Sequence, residues 1–308
     1  MLKTPILLIT FNRPDHVRRV LPEILKQDPL DLYVCQDGAR EGNENDRIKC
    51  KEVRDVVKEL TAPYTAEHKE FTLHTLYQKQ NFGCGRGPYE AMSWFFKNVE
   101  YGIILEDDIV PHPLFWNYME NLLERYKNDD RIGMVTAHNL HRKYSRHHSY
   151  YFSRDMAGTL GWGTWRRVWG NFDFNIKFDN EAYDKVLRKR HIPYLCRKRS
   201  CAYYEKWLSG DRHDCWDYQF DYYLLLNNYL NIRANSCLTS HEGDGEDATH
   251  AGFTNPGYKM EVNEALFEHV DHPAKVDVEW SEKIGPYKKE VRLIAKRIIG
   301  MCKVVSNN

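Results

Sequence analysis

Residues 101–117 read YGIILEDDIVPHPLFWN, and the fold follows from how that stretch is taken. Ile103, Ile104 and Leu105 form a short, largely β-branched apolar run, the pattern of a strand covered on both faces of a parallel sheet. The run passes without a break into Glu106, Asp107 and Asp108. Carboxylates crowded at the end of a buried strand repel one another and lose hydration, a cost that falls when a divalent cation lies between them. The competing reading is a solvated turn whose acids cap the helix that opens near Pro113 and carries Phe115, Tyr118, Leu122 and Leu123. A cap needs one acid and three are present, so the cation is the preferred reading.

Outward from this strand the chain alternates strand and helix. Residues 5–10 are a strand, followed from Pro14 by a helical stripe of Val17, Val20, Leu21, Ile24 and Leu25. Residues 32–35 are a second strand, which delivers Asp37-Gly38 to a loop, and Ile48, Val53, Val56, Val57 and Leu60 mark the next helix. A third strand holds Phe71, Leu73 and Leu76. A Gly-rich loop over residues 81–87 then opens a helix through Met92, Phe95 and Phe96 that returns to the acidic strand. Repeated winding of this kind builds an α/β domain, a mostly parallel central sheet with helices on both faces. Ligands of such sheets bind beyond the carboxyl ends of the strands.

The 308 residues, 42% of them hydrophobic, suffice for one large elaborated domain. Lys+Arg and Asp+Glu each number 44, so no net charge draws the chain to a nucleic-acid backbone, and no nucleic-acid partner is expected. The eight cysteines are scattered, without CxxC or zinc-ligand spacing, as suits reduced thiols in the cytoplasm. The apolar start is too short for a signal-peptide core or a membrane span.

Several polar residues follow strands or open helices at one sheet edge: Thr10, Asn12, Arg13, Asp37, Asn81, Arg86 and the acidic trio. Backbone N–H groups and side chains can meet an anion or a base there. The Gly83-Cys84-Gly85-Arg86-Gly87 run is neither a dinucleotide fingerprint nor a triphosphate loop, and taken alone it is a tight turn. Asp37-Gly38 also has a plain reading as a turn.

The sequence PILLITFNRP, Asp37-Gly38, the Asn-Gly-rich loop and ILEDD together resemble the nucleotide-sugar-binding half of glycosyltransferases with the Rossmann-like GT-A fold, ILEDD standing as their DxD-type motif. YFSRDMAGTLGWGTW (residues 151–165), Cys215-Trp216-Asp217 and Thr249-His250-Ala251-Gly252-Phe253 are similar to the N-acetylglucosaminyltransferase that initiates complex N-glycans and to its bacterial relatives. The resemblance covers roughly residues 5–255, in islands, and departs from the family over residues 169–214, which are rich in Lys, Arg and Tyr. It implies a nucleotide-binding half at 1–136, an acceptor and catalytic half at 137–260, and an extension at 261–308. It also implies Glu106 and Asp107 near the ribose or behind the metal, Trp162 near the donor sugar, Asp217 as catalytic base, and a loop carrying His250 that closes over nucleotide. The expected partners are a nucleotide-sugar donor, most simply a UDP-sugar, and a glycan or lipid-linked acceptor.

The residues support the same chemistry on their own. Charge that develops on a departing diphosphate is neutralised by a divalent metal held by one or two carboxylates, with Asp108 the first ligand and Mn²⁺ or Mg²⁺ the ion that suits an oxygen-rich site. A hydroxyl nucleophile needs a carboxylate to take its proton; Asp217 fits, with Asp214 and Asp221 as alternatives and helix capping as its structural role. Direct attack then inverts the anomeric centre. Trp165 and Trp169, spaced i, i+4, read as packing on a helix, whereas Trp162, between Gly161 and Gly163, reads as held by a loop, and it stays with Trp216 as a site candidate. His250 lies in a Gly- and Asp-rich stretch of lid composition. Over residues 286–305, Val291, Ile294, Ile298, Met301 and Val305 share one face amid Lys and Arg, a basic amphipathic helix that packs on the domain or makes peripheral contact with an anionic membrane. Two other functions remain open, a non-catalytic nucleotide- or glycan-binding module and a sugar nucleotidyltransferase; against the latter, the N-terminal strand ends in ITFNRP and has no triphosphate signature.

Overall fold

A computed structural model describes residues 1–139, 148–154, 158–208, 215–243, 260, 262–273 and 275–276. The alternation expected from the sequence is present: β1 (Ile6–Thr10), α1 (Pro14–Leu25), β2 (Asp31–Gln36), α2 (Glu44–Glu67), β3 (Thr72–Tyr77), α3 (Gly83–Asn98) and β4 (Tyr101–Glu106). β5 (Ile109–Pro111), α4 (Pro113–Arg125), β6 (Ile132–Thr136), β7 (Tyr150–Ser153), β8 (Trp162–Trp165) and α5 (Arg166–Trp169) follow. The remainder is α6 (Asn180–Lys189), α7 (Tyr194–Leu208), α8 (Trp216–Leu226), β9 (Leu230–Ala234) and β10 (Thr239–His241).

Eight strands form one sheet in the order β3-β2-β1-β4-β8-β6-β9-β7, and β5 pairs with β10 in a separate ribbon. β3, β2, β1 and β4 are parallel; β8 is antiparallel to both of its neighbours, so the sheet is mostly, not wholly, parallel. The apolar runs explain the order. Ile6, Leu7 and Leu8 of β1 and Ile103, Ile104 and Leu105 of β4 are buried throughout, as central strands covered on both faces must be. Each such side chain contributes about 1.5–3 kcal/mol relative to exposure. Register then sets the site: Ile9 lies opposite both Cys35 and Glu106, so the ends of β1, β2 and β4 emerge together at one edge.

The α1 stripe is buried at all five expected positions. In α2, Ile48 departs from expectation and is 51% exposed. The buried face of α2 runs through Asp46, Cys50, Val53, Val57 and Thr61, and Ile48 stands two residues off it, on the far side of the helix. The Gly-rich stretch is not a loop: α3 starts at Gly83 and takes Gly85 and Gly87 into its first turns. Trp165 and Trp169 do not share a helix; Trp165 ends β8 and precedes the single turn of α5. Both are buried as packing residues all the same, and their indole N–H groups donate to the Leu123 carbonyl (3.0 Å) and to Ser93 Oγ (3.2 Å). No helix among the described residues is long and apolar enough to cross a membrane. The basic amphipathic helix expected over 286–305 lies outside the described residues.

Candidate active site

The acids after Leu105 do not cap the next helix. That role falls to His112, whose Nδ1 accepts from the Leu114 N–H (3.2 Å). Asp107 and Asp108 instead occupy the turn between β4 and β5, both buried, and face the loop and first turn that follow β1. The Phe11 N–H donates to Asp107 Oδ2 (3.3 Å), while Arg13 Nη1 donates to Asp108 Oδ2 (2.9 Å) and lies 3.8 Å from Asp107 Oδ1. From the other side the β5–β10 ribbon sets His241 opposite Ile109, which places its Nε2 3.4 Å from Asp108 Oδ2. The Glu242 N–H donates to the Asp108 carbonyl (2.9 Å). Gly243 closes this corner, where an added Cβ would displace the Asp108 carboxylate and the His241 ring.

Among the described residues, His16, Asp107 and Asp108 each bring a ligand atom within 4.8 Å of the others, a group able to hold a metal ion. Two observations in the structure support the fit. His16 Nδ1 and Asp108 Oδ1 are both buried without a hydrogen-bond partner, an arrangement that costs free energy unless another group completes it. Burial, together with the charges of Arg13 and Arg19, holds the His16 imidazole below its ordinary pKa, so it is neutral at pH 7 with a lone pair to offer.

Burial and mutual repulsion push Glu106 and Asp107 well above the carboxylate range, with Asp217 contributing to the repulsion at Glu106. Burial also acts to raise Asp108, but hydrogen bonds and charge from His241 and Arg13 outweigh it and hold that carboxyl low. The cluster is thus under-compensated: three acids face one guanidinium and two imidazoles that are cationic only when protonated. A divalent cation is the natural complement.

Asp217 sits in the first turn of α8, half-buried, within the electrostatic reach of Glu106. It is not the N-cap; that position is Cys215, whose side chain makes no capping bond. Of the alternatives, Asp221 accepts from the Tyr204 hydroxyl, and Asp214 lies outside the described residues.

The remaining sequence candidates gather at the same edge, where they hold the rim together. The Thr10 hydroxyl donates to the Cys35 carbonyl (3.2 Å), and the Asn12 amide donates to Asp46 (2.8 Å), a buried acid also gripped by Arg40. Asp37 accepts from the N–H groups of Gly38 (2.9 Å), Phe82 (2.9 Å) and Gly83 (3.0 Å) and from the Asn81 amide (3.0 Å), and so fastens the end of β2 to the start of α3. Burial raises the Asp37 pKa more than these donors lower it. Arg86 pairs with Glu90 (2.7 Å), lies over Tyr89 and Phe174, and is half exposed.

Trp162 needs correction. It belongs to β8 and not to a loop, is 1% exposed, and stacks on Trp216 with centroids 5.4 Å apart, so both rings are part of the core. Gly161, at φ +76, makes the turn that feeds it into the strand. His250 lies outside the described residues. Sequence reasoning missed His16 and His241. The first stood in plain view three residues after Arg13 on α1; the second depends on the β5–β10 pairing, which no local pattern announces.

The GNT-I family model matches residues 1–201. The chain belongs to the GNT-I family. The acid cluster falls within the matched residues. No curated protein gives a significant match. Among solved structures, the chain is similar to mannosyltransferase PcManGT from Pyrobaculum calidifontis in complex with GDP-Man and Mn2+, at 10% identity and a TM-score of 0.44, covering 79% of this chain and 58% of that one. S. aureus TarS 1-349 is similar at 11% identity and a TM-score of 0.40, covering 76% and 58%. The chain therefore spans 58% of the length of each of these two structures.

Proposed function

We propose that this member of the GNT-I family is a metal-dependent, inverting glycosyltransferase that moves a sugar from a UDP-sugar to a hydroxyl of a glycan or lipid-linked acceptor. The observation that carries the reading is the pair of buried, unpartnered ligand atoms, His16 Nδ1 and Asp108 Oδ1, beside acids that the protein alone leaves under-compensated. Asp107, Asp108 and His16 would hold Mn²⁺ or Mg²⁺, and the bound ion would supply positive charge against the diphosphate as it departs.

The chain's own residues do the rest. Asp217 takes the proton of the acceptor hydroxyl as its oxygen bonds to the anomeric carbon. The bond from that carbon to the diphosphate oxygen breaks on the opposite side, and its electron pair leaves with UDP. No enzyme-linked intermediate forms, so the configuration inverts. Half-buried Glu106, raised by burial, by Asp108 and Asp107 and then by Asp217, brings less negative charge to the metal-free site than an ordinary carboxylate would.

UDP release from UDP-sugars in the presence of Mn²⁺ and a panel of glycan acceptors tests the reading. Asp217→Asn is expected to lower transfer about 10²–10⁴-fold, the usual contribution of a general base, while UDP still raises the melting temperature. Transfer by Asp217→Asn equal to wild type would remove the base. UDP stabilisation with no transfer of any sugar would favour a binding module.

A further inference from the structure

Helices α6 and α7 form a second, smaller core with the outer side of α8. Tyr183, Leu187, Cys196, Cys201, Tyr204 and Leu208 pack there with Tyr222 and Leu225. This packing fixes α7 against the helix that carries Asp217, and it leaves three aromatic rings on the open side. Trp207 and Tyr218 stack face to face, centroids 4.4 Å apart and 5° from parallel. Tyr203 stands tilted to both, 6.3 Å from Trp207 and 6.2 Å from Tyr218. Tyr203 is 46% exposed and the other two are half-buried, with Glu205 and Lys206 exposed beside them.

Tyr203 gives the corner an aromatic surface open to water, of the kind a ligand covers. Its position says which ligand. Tyr218 directly follows Asp217, and the Asp217 carboxylate acts on the phenols of both Tyr218 and Tyr203. On its other side Asp217 follows Trp216, which stacks on Trp162, and Trp162 lies opposite Ile104 of β4, two residues before Glu106, so α8 links the aromatic corner to the strand that ends in the acids. We infer that Tyr203, Trp207 and Tyr218 form an acceptor subsite, in which the apolar face of a pyranose ring rests in the aromatic corner and one sugar hydroxyl is presented to Asp217. The inference rests on the transferase reading for the word acceptor, but the seat is defined by the rings alone. Aromatic faces match the C–H face of a pyranose, while the two phenols and the carboxylate can bond its hydroxyls. Exposed Glu205 and Lys206 give the corner a charged rim.

The test uses the full chain labelled with 5-fluorotryptophan, in the presence of UDP and Mn²⁺, with the Trp207 fluorine resonance assigned through Trp207→Phe among the eight tryptophans. The probes are cellotriose, chitotriose, maltotriose and mannotriose. At least one is expected to shift the Trp207 resonance saturably, and Tyr203→Ser, a change at an exposed position, is expected to weaken that binding about three- to tenfold, the worth of one aromatic contact. The stabilisation by UDP and Mn²⁺ should be the same in the variant. No response to any of the four sugars, or equal binding by Tyr203→Ser, overturns the subsite. If UDP with Mn²⁺ stabilises the protein while no sugar moves Trp207, the subsite alone fails. If sugar moves Trp207 and no nucleotide binds, the donor reading fails and the sugar seat stands.

Discussion

Replacing Arg13 with Gln probes the charge balance of the site. Arg13 Nη1 is 2.9 Å from Asp108 Oδ2 and 3.8 Å from Asp107 Oδ1, with side-chain exposures of 21%, 9% and 8%. At an effective dielectric near 20 the closer contact has a gross attraction of about 6 kcal/mol, most of it cancelled by desolvation of the charges. Breaking a buried pair by removing one partner costs about 3–5 kcal/mol, and water reaching the one-fifth-exposed arginine position brings this down to about 2–3 kcal/mol. In EDTA the variant should therefore melt roughly 5–10 °C below wild type, at about 2–4 °C per kcal/mol for domains somewhat smaller than this one. In saturating Mn²⁺ the cation takes over the compensation, and most of the gap should close. Calorimetric melting of both proteins under both conditions measures it. An equal loss in EDTA and in Mn²⁺ would show that Arg13 matters for packing and not for the charge of the acids. No loss in EDTA would show that the acids need no compensation.

Three further expectations follow from the same contacts. Asp37→Ala removes the acceptor for the first N–H groups of α3 and should cost about 1–2 kcal/mol in denaturant unfolding, the worth of a helix cap, with stabilisation by UDP retained. Trp162→Ala, if the ring is core as the structure has it, should cost about 3–5 kcal/mol in the same assay; near-normal stability with loss of donor binding would return Trp162 to the ligand. Glu106 and Asp107 have pKa values raised by folding, so the native state holds protons that the unfolded state has released. Stability in EDTA should then fall as pH rises from the ordinary carboxylate range toward neutrality, and saturating Mn²⁺ should flatten that fall; a metal-free melting temperature that rises over the window would contradict the raised pKa values of the two acids.

The parallel half of the sheet was legible because each strand there is a short apolar run bounded by turn residues, and each helix repeats its apolar face at helical spacing. Ile103 to Leu105 announced β4, and the acids after it announced the site. What was not legible depends on contacts remote in sequence. Ile48 looked like part of an apolar stripe, but the face of α2 is set by where Cys50 and Val53 meet the sheet. Trp162 looked held by a loop because glycines flank it; those glycines serve a strand wedged between β4 and β6. Asp37 and Asn81 stand where a nucleotide would approach, yet the structure bonds them to each other and to α3. His241 reaches Asp108 through an antiparallel ribbon closed across more than a hundred residues, and the aromatic corner needs α7 folded back onto α8.

The acids after Leu105 must bind a cation together with His16 if the site is to act on a diphosphate. Equilibrium titration of Mn²⁺ in the presence of UDP, followed by the electron paramagnetic resonance of the free ion, measures this directly. One tight site per chain is predicted, weakened by about tenfold or more in Asp108→Asn and in His16→Gln, the usual consequence of disturbing a metal site's ligand shell. No Mn²⁺ binding by wild type, or equal binding by both variants, would contradict it.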